Sequence, residues 1–413
     1  MNLSISQRDR CRNCGSSHLN NFLTLPKMPL AEGHVAPDST DAAFVFDLKI
    51  YWCKDCGVVQ TLHDIDLADY YADYDYTVSS SSLVQTFMRS FADESWRRFG
   101  MQPGDVVIEI GSSDGYQLKC YKDLGAKVLG FEPAAGLVRA ARGMDVDTLE
   151  CLFTADTITQ IPSDLLPAQA VIAQYTFDHL PDPTSFLETI KQVLDPHRGV
   201  VIIEVHDFEK IVERREACLL THEHSIYLSE DSIERVFAQA GFRLVCTDLV
   251  PEALRRGNSL IGVGTPADSS ILSQQPKAER ASIRQLREGV TYEAFAKDVL
   301  VAHQHFAEAV RKLRCQGKRV AGYGAAGRGV NTILIAGLTD DDLVAMYDMN
   351  TKLQGMLMPG TRIPVKAPEA LYDDQIDEVI VFCYGYLDEI RQYFSTFTER
   401  GGRITSMLDY LKS

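Results

Sequence analysis

The chain has 413 residues, 45% hydrophobic and 24% charged, and a formal net charge of −16. That length predicts two or three domains, and the acidic balance speaks against a nucleic-acid partner, which would call for a basic footprint. No apolar run reaches membrane-spanning length and "MNLSISQRDRC" has no apolar leader, so a cytoplasmic protein with no membrane partner is the expectation.

Two short stretches near the start, "CRNCG" and "CKDCG", share one design. Each places two thiols two residues apart on a tight turn that ends in glycine. Cys11, Cys14, Cys53 and Cys56 can therefore close a tetrahedral shell of four sulfurs, which suits zinc. Four thiolates leave no open position, so the ion is expected to be structural. The segment between the pairs exceeds what a compact ribbon needs and predicts a loop around "LPKMPLAEGHVAPDS".

A helical stretch, "SSLVQTFMRSFADESWRRFG", precedes "DVVIEIGSSDGYQL", a strand running into a glycine turn and a helix. The pattern E-x-G-x-x-D-G, with Glu109, Gly111, Ser113, Asp114 and Gly115, has the form of the first turn of a class I methyltransferase sheet. The next strand, "AKVLGFEP", ends in Glu132, placed to accept hydrogen bonds from ribose hydroxyls. A dinucleotide is the competing ligand, but the G-x-G-x-x-G spacing that cradles a pyrophosphate is missing, which favours S-adenosylmethionine (SAM). "AVIAQYTFDHL" predicts strand four, delivering Gln174 and His179 at its carboxyl end, and "RGVVIIEVHDFE" predicts strand five. His222-Glu223-His224 then precede a helix with Ser229 as N-cap and Gly241 as its stop. Successive side chains in extended backbone point to opposite faces, so these three cannot easily converge on one ion. They are expected to do acid–base work above the strand ends. "FRLVCTDLV" and "SLIGVG" predict a closing antiparallel pair.

Further on, "RQLREGVTYEAFAKDVLVAHQHFAEAVRKLRCQG" reads as one or two long helices. "KRVAGYGAAGRGV" repeats the strand, glycine turn and helix, and "LVAMYDMN" and "DEVIVFCYGY" follow as strands. A second Rossmann-like sheet is predicted, with Tyr323 and Arg328 near Gly322 and Gly324 at a turn suited to a diphosphate. The fold class is α/β, divided into a zinc-binding stretch (1–78), a methyltransferase core (79–268), a helical linker (269–315) and a C-terminal Rossmann-like domain (316–413).

The paired CxxC elements, "YYADYDYTVSSSS", "VIEIGSSDG", the His-Glu-His run, "RGNSL" and "GKRVAGYGAAGRG…PGTRIPV" together resemble the sugar-nucleotide C-methyltransferases, such as those that build tetronitrose. The resemblance implies SAM and zinc as cofactors and a small-molecule substrate, a dTDP-linked 4-keto-6-deoxysugar methylated at C-3 or, in some members, C-5. It makes His224 the base, Glu223 and His222 its supports, Tyr76 a catalytic phenol with Tyr74 beside it, and the C-terminal domain a holder of the nucleotide. Asn258 and His179 are expected to touch substrate. Three departures from the family pattern stand out: Thr221 replaces a tyrosine, Arg256 and Asn258 replace a histidine and a glycine, and "CYGY" replaces a Trp-Asn-Tyr element. A SAM enzyme acting on another carbon, nitrogen or oxygen acceptor is the alternative, and a zinc-ribbon scaffold without catalysis is the third reading.

Overall fold

A computed structural model describes residues 5–30, 33–39, 45–65, 77–255, 257–271 and 290–412. The chain divides into two compact units that interleave along the sequence. The first comprises Met1–Asn20, Tyr51–Phe208 and His224–Arg284, and the second Asn21–Ile50, Glu209–Glu223 and Gln285–Ser413. This division cuts across the four consecutive stretches read from the sequence, and residues 1–78 contribute to both units.

In the first unit the centre is a seven-stranded sheet. Its strands are β1 (Val106–Ile110), β2 (Lys127–Phe131), β3 (Thr148–Leu149), β4 (Ala170–Gln174), β5 (Val200–Val205), β6 (Phe242–Cys246) and β7 (Leu260–Pro266). They lie in the order β6-β7-β5-β4-β1-β2-β3, parallel from β3 to β5, with β7 antiparallel to both β5 and β6. The predicted closing pair is thus present. Every residue of "VVIEI" and "VVIIEV" is buried, which explains why these strands read as continuous runs and not as alternating patterns. Burying one such Val or Ile side chain contributes roughly 1.5–3 kcal/mol.

Helices cover this sheet with ends that the sequence specifies locally. α1 (Ser82–Arg98) starts where the Ser81 side chain accepts from Val84 N, and it buries Val84, Phe87, Met88 and Phe91 at helical spacing. α2 (Tyr116–Asp123) and α3 (Ala135–Gly143) follow β1 and β2. α4 (Pro183–Val193) begins at an Asp182 cap with proline in its first turn. α5 (Glu230–Gln239) has the expected Ser229 cap, completed by Ser232 into a capping box, and Gly241 follows with φ +76°. The strand order reverses between β1 and β4, which makes the carboxyl ends of those two strands the place for a ligand.

The zinc knuckles join this unit through strand pairing. Val59–Gln60 pairs antiparallel with Tyr51–Trp52 on one side and with Ile226–Tyr227 on the other. The loop expected between the cysteine pairs is partly strand instead, since Leu19–Pro29 runs extended. Alternating burial along Leu23 to Pro26 shows why: buried Leu23 and Leu25 alternate with exposed Thr24 and Pro26, the strand period.

The second unit carries five parallel strands, β8 (Val320–Tyr323), β9 (Met346–Tyr347), β10 (Val365–Lys366), β11 (Glu378–Val381) and β12 (Arg403–Ser406). Their order is β10-β9-β8-β11-β12, a second Rossmann-like arrangement. Its core includes Ala321, Tyr347, Val379, Val381 and Phe394. The long helix α6 (Val290–Cys315) belongs here, with Phe306 edge-on to Phe382 and Tyr410. The segment between the zinc knuckles also belongs here: His34 Nε2 donates to the Ala325 carbonyl at 3.0 Å, and Val35 bridges to Leu357.

Candidate active site

β1 ends at Ile110 and the chain turns through Gly111 at φ +69° and Gly115 at φ +81°, conformations that favour glycine. A Cβ at Gly111 would lie 2.3 Å from Thr176 Oγ1, so the turn also needs glycine for space. Glu132, at the end of β2, accepts from Ser113 N and from Ala134 N, both at 2.9 Å. Burial raises its carboxyl above the usual carboxylate range, with the two amides pulling the other way. Asp114 accepts from Ser79 N and Tyr116 N, and Glu109 is buried within β1. Gln174 Nε2 donates to Glu204 Oε2 at 2.8 Å, while its Oε1 and the Ser112 hydroxyl are buried without a hydrogen-bond partner among the described residues. A glycine cradle, unsatisfied polar atoms and a clamped carboxylate at one strand edge fit SAM.

Beside this turn a group of titratable side chains converges. Asp178 sits in the short turn Phe177–His179 after β4, His206 follows β5, and His224 precedes Ile226–Tyr227. His206 Nδ1 donates to Asp178 Oδ2 at 3.4 Å, and His224 Nε2 lies 3.9 Å from the same oxygen. His179 Nε2 lies 3.9 Å from the other, Oδ1. Ring centroids separate His179 from His224 by 4.7 Å and His206 from His224 by 5.2 Å. Burial pushes the Asp178 carboxyl up, but the three imidazoles, His224 foremost, hold it well below the usual range. Burial lowers His179 to about 4, aided by His224 and opposed by Asp178, so His179 is neutral at pH 7.

The backbone around these groups is fixed by hydrogen bonds. Ser225 N donates to the Asp178 carbonyl at 2.7 Å, Thr61 N to Ser225 O at 3.0 Å, and Thr61 Oγ1 to His224 O at 3.3 Å. Asp207 N donates to Asn258 Oδ1 at 2.7 Å, which anchors the residue after His206.

The four cysteines meet as the spacing predicts. Cys11 and Cys56, and Cys14 and Cys53, have sulfurs 3.6 Å apart, and all four sulfurs lie within 4.8 Å of one another. Ligands at about 2.3 Å on a tetrahedral ion stand roughly 3.8 Å apart, so the residues fit zinc. Gln60 Nε2 donates to Cys11 Sγ at 3.1 Å and its Oε1 accepts from Arg12 N at 2.8 Å. Arg12, between the first two cysteines, is buried and donates to the carbonyls of Thr61, His63 and Pro181, each at 2.8 Å. Through Arg12 the zinc site braces the loop two residues beyond His179.

Several expected residues stand elsewhere or do other work. His222 belongs to the second unit, where its ring stacks on Phe46 at 3.6 Å and its Nε2 faces the carbonyls of Met28 and Phe46 at 3.2 Å each. Its Nε2 therefore meets backbone carbonyls in a packed environment. Glu223 is half-buried and also falls in the second unit. Asn258 is fully buried, and its Oδ1 accepts from Asp207 N, the residue after His206. Tyr74, Tyr76 and Arg256 lie outside the described residues. Tyr323 is buried on β8, and Arg328 lies over the Tyr384 ring at 5.3 Å. At that second turn Ala325 N donates to Asp348 Oδ2 at 2.7 Å, so a carboxylate already occupies an amide expected to face phosphate.

Asp178 and His206 were not picked out from the sequence. Both occupy the positions immediately beyond a predicted strand's carboxyl end, in "QYTFDHL" and "IEVHDFE", and that placement is the signal available for them.

Family models for a zinc binding domain, a methyltransferase domain and a C-methyltransferase C-terminal domain match residues 11–71, 84–247 and 273–408. The chain is similar to C-methyltransferase NovU of Streptomyces niveus, 29% identical over 96% of this chain and 94% of that one. Among solved structures, the magnesium protoporphyrin IX methyltransferase of Synechocystis PCC 6803 with bound SAM is 14% identical, covering 48% of this chain and 95% of its own, at a TM-score of 0.34. The CcbJ methyltransferase of Streptomyces caelestis is also 14% identical, covering 47% of this chain and 100% of its own, at a TM-score of 0.35.

Proposed function

We propose that this chain, which belongs to the SAM-dependent C-methyltransferases with an N-terminal zinc-binding domain, methylates the carbon next to the ketone of a nucleotide-linked 4-keto-deoxysugar. The observation that carries the reading is the imidazole group around Asp178, beside the Gly111–Gly115 turn. A carbon α to a ketone becomes a nucleophile only after losing a proton, and a neutral histidine is suited to take it near neutral pH.

His224 is assigned as that base. The α C–H bond breaks, its electron pair passes into the enolate, and the proton moves to the His224 ring. When bound, SAM supplies an electrophilic methyl group. Glu109, Asp114, Glu132 and Gln174 are assigned to hold the donor, with the Glu132 carboxylate accepting from ribose hydroxyls. Burial of Asp178 and of the strand ends keeps water from competing for the proton. His179 is assigned to hydrogen-bond the ketone oxygen as it gains charge, Glu223 and Tyr76 to auxiliary acid–base roles, and Tyr74 to the substrate's sugar. In the C-terminal sheet, Arg328 and Tyr323 are assigned to the diphosphate end of the substrate. C-3 is preferred over C-5.

The test is incubation with SAM and dTDP-4-keto-6-deoxyglucose or a 3-amino-2,3,6-trideoxy analogue, followed by product mass and carbon spectra. One added methyl at C-3 is the expected result. Parallel incubation in D₂O without SAM should exchange the α-proton of the ketosugar. Methyl transfer to oxygen or nitrogen, with no exchange, would overturn the reading in favour of another acceptor.

A further inference from the structure

We propose that Asp178 is a positioning residue that sets how readily His224 accepts a proton, and that His206 competes with His224 for its carboxylate. The inference deepens the assignment of His224 as base and rests on it.

One buried carboxylate faces three imidazoles, and a single oxygen of it, Oδ2, serves two of them. That oxygen accepts from His206 Nδ1 at 3.4 Å and lies 3.9 Å from His224 Nε2. Its partner Oδ1 is buried, has no hydrogen-bond partner among the described residues and lies 3.9 Å from His179. A carboxylate near Nε2 favours the tautomer that keeps the proton there and leaves Nδ1 as the basic atom. When the α-proton arrives, the new imidazolium stands within ion-pair reach of Asp178 in surroundings that screen charge weakly. The carboxylate carries one negative charge and can compensate one imidazolium, so a proton on His206 or His179 opposes a proton on His224.

Groups from several elements face His224. From the turn after β4 come Asp178 and His179, and from the end of β5 comes His206. Tyr227 presents its phenol ring at 6.0 Å, and Thr61 contributes an uncharged hydroxyl to the His224 carbonyl. Glu223 is the neighbouring acid in the chain. Asp178 is the acid among these with an ion-pair distance to the His224 ring, and its backbone is held separately, by Ser225 on its carbonyl. Replacing its side chain therefore leaves that anchoring bond in place.

The experiment measures kcat/KM against pH for the full-length, zinc-loaded enzyme with SAM and the ketosugar. SAM affinity is followed by calorimetry and α-proton exchange in D₂O. Asp178→Asn should move the acidic limb of the profile to lower pH, because the negative charge 3.9 Å from the His224 ring is gone. His206→Gln should move the same limb up, because the carboxylate is released to His224. Asp178→Glu should bring the limb part of the way back, and SAM affinity should be the same in all three. His224→Gln checks the underlying reading, since exchange that survives it would dismiss His224 as base whatever Asp178 does. If His224→Gln abolishes exchange but Asp178→Asn lowers the rate with the limb unmoved, Asp178 is a packing residue and the inference is overturned. A limb that stays or moves down in His206→Gln overturns the competition. Should Asp178→Asn fail to fold, the directions of the Asp178→Glu and His206→Gln shifts decide alone.

Discussion

The two glycine turns of this protein are built alike and equipped differently. After β1, Ser113 N donates to Glu132 at the end of β2, and after β8, Ala325 N donates to Asp348 just past the end of β9. In each case an acid beyond the second strand clamps the turn that follows the first. The difference lies at the ends of the next strands. β4 and β5 deliver Asp178, His179 and His206, whereas β11 delivers Cys383 and Tyr384, with Arg328 over the Tyr384 ring and the Tyr384 hydroxyl donating to Glu216. The shared turn fixes backbone in both sheets, and what differs is the set of side chains that the following strands carry.

The strongest way to break this comparison is to remove the proposed base. His224→Gln should lower kcat by about 10²–10⁴-fold, the usual contribution of a positioned general base, while leaving the SAM dissociation constant unchanged. Rapid-quench turnover and calorimetry together read both quantities. Equal losses in turnover and SAM affinity would mean that His224 holds the fold of the strand edge, and the contrast between the two turns would lose its chemical half.

Much of this was legible in the residues because its signals are local. The two knuckles follow from cysteine spacing, α5 from Ser229 and Gly241, and β1 with its turn from "VIEIGSSDG". Burial on both faces marks β1 and β5 as continuous apolar runs. What stayed hidden depends on contacts far apart in the chain. Asp178 and His206 are 28 residues apart and look ordinary until β4 and β5 pair in parallel and bring their ends together. His222 and His224 are two positions apart, yet they fall in different compact units, which no spacing rule announces. Asn258 was marked by its place in a motif, and the bond from Asp207 N to its Oδ1 is a contact that no spacing announces.

The second prediction sharpens the comparison at the clamping acids. Glu132→Ala should weaken SAM binding by about 10–100-fold, the loss of one or two charge-assisted hydrogen bonds. Asp348→Ala should leave SAM affinity within about twofold and lower the melting temperature instead, since its carboxylate is spent on a turn amide. SAM titration by calorimetry, with thermal melting alongside, separates the two. Burial raises the Glu132 carboxyl, so SAM affinity should also begin to fall at a higher pH than an ordinary glutamate would dictate. An Asp348 variant that loses SAM as severely as the Glu132 variant would show that the two turns are not independent.

The smallest effect concerns whether the second turn touches ligand at all. Arg328 is the second residue of α7 (Gly327–Ala336), where helix amides and a guanidinium would ordinarily favour an anion. Asp348 works against that by placing a carboxylate at the same turn, so the net attraction is limited. Arg328→Ala should therefore raise KM for the nucleotide-sugar by only about 3–10-fold with kcat preserved, the pattern for lost uniform binding. Arg328→Lys should recover part of the loss, because the charge returns without the planar fork. Steady-state kinetics at saturating SAM read both values. Unchanged KM with a lowered melting temperature would assign Arg328 to packing on Tyr384, and the C-terminal turn would then differ from the first in having no ligand to hold.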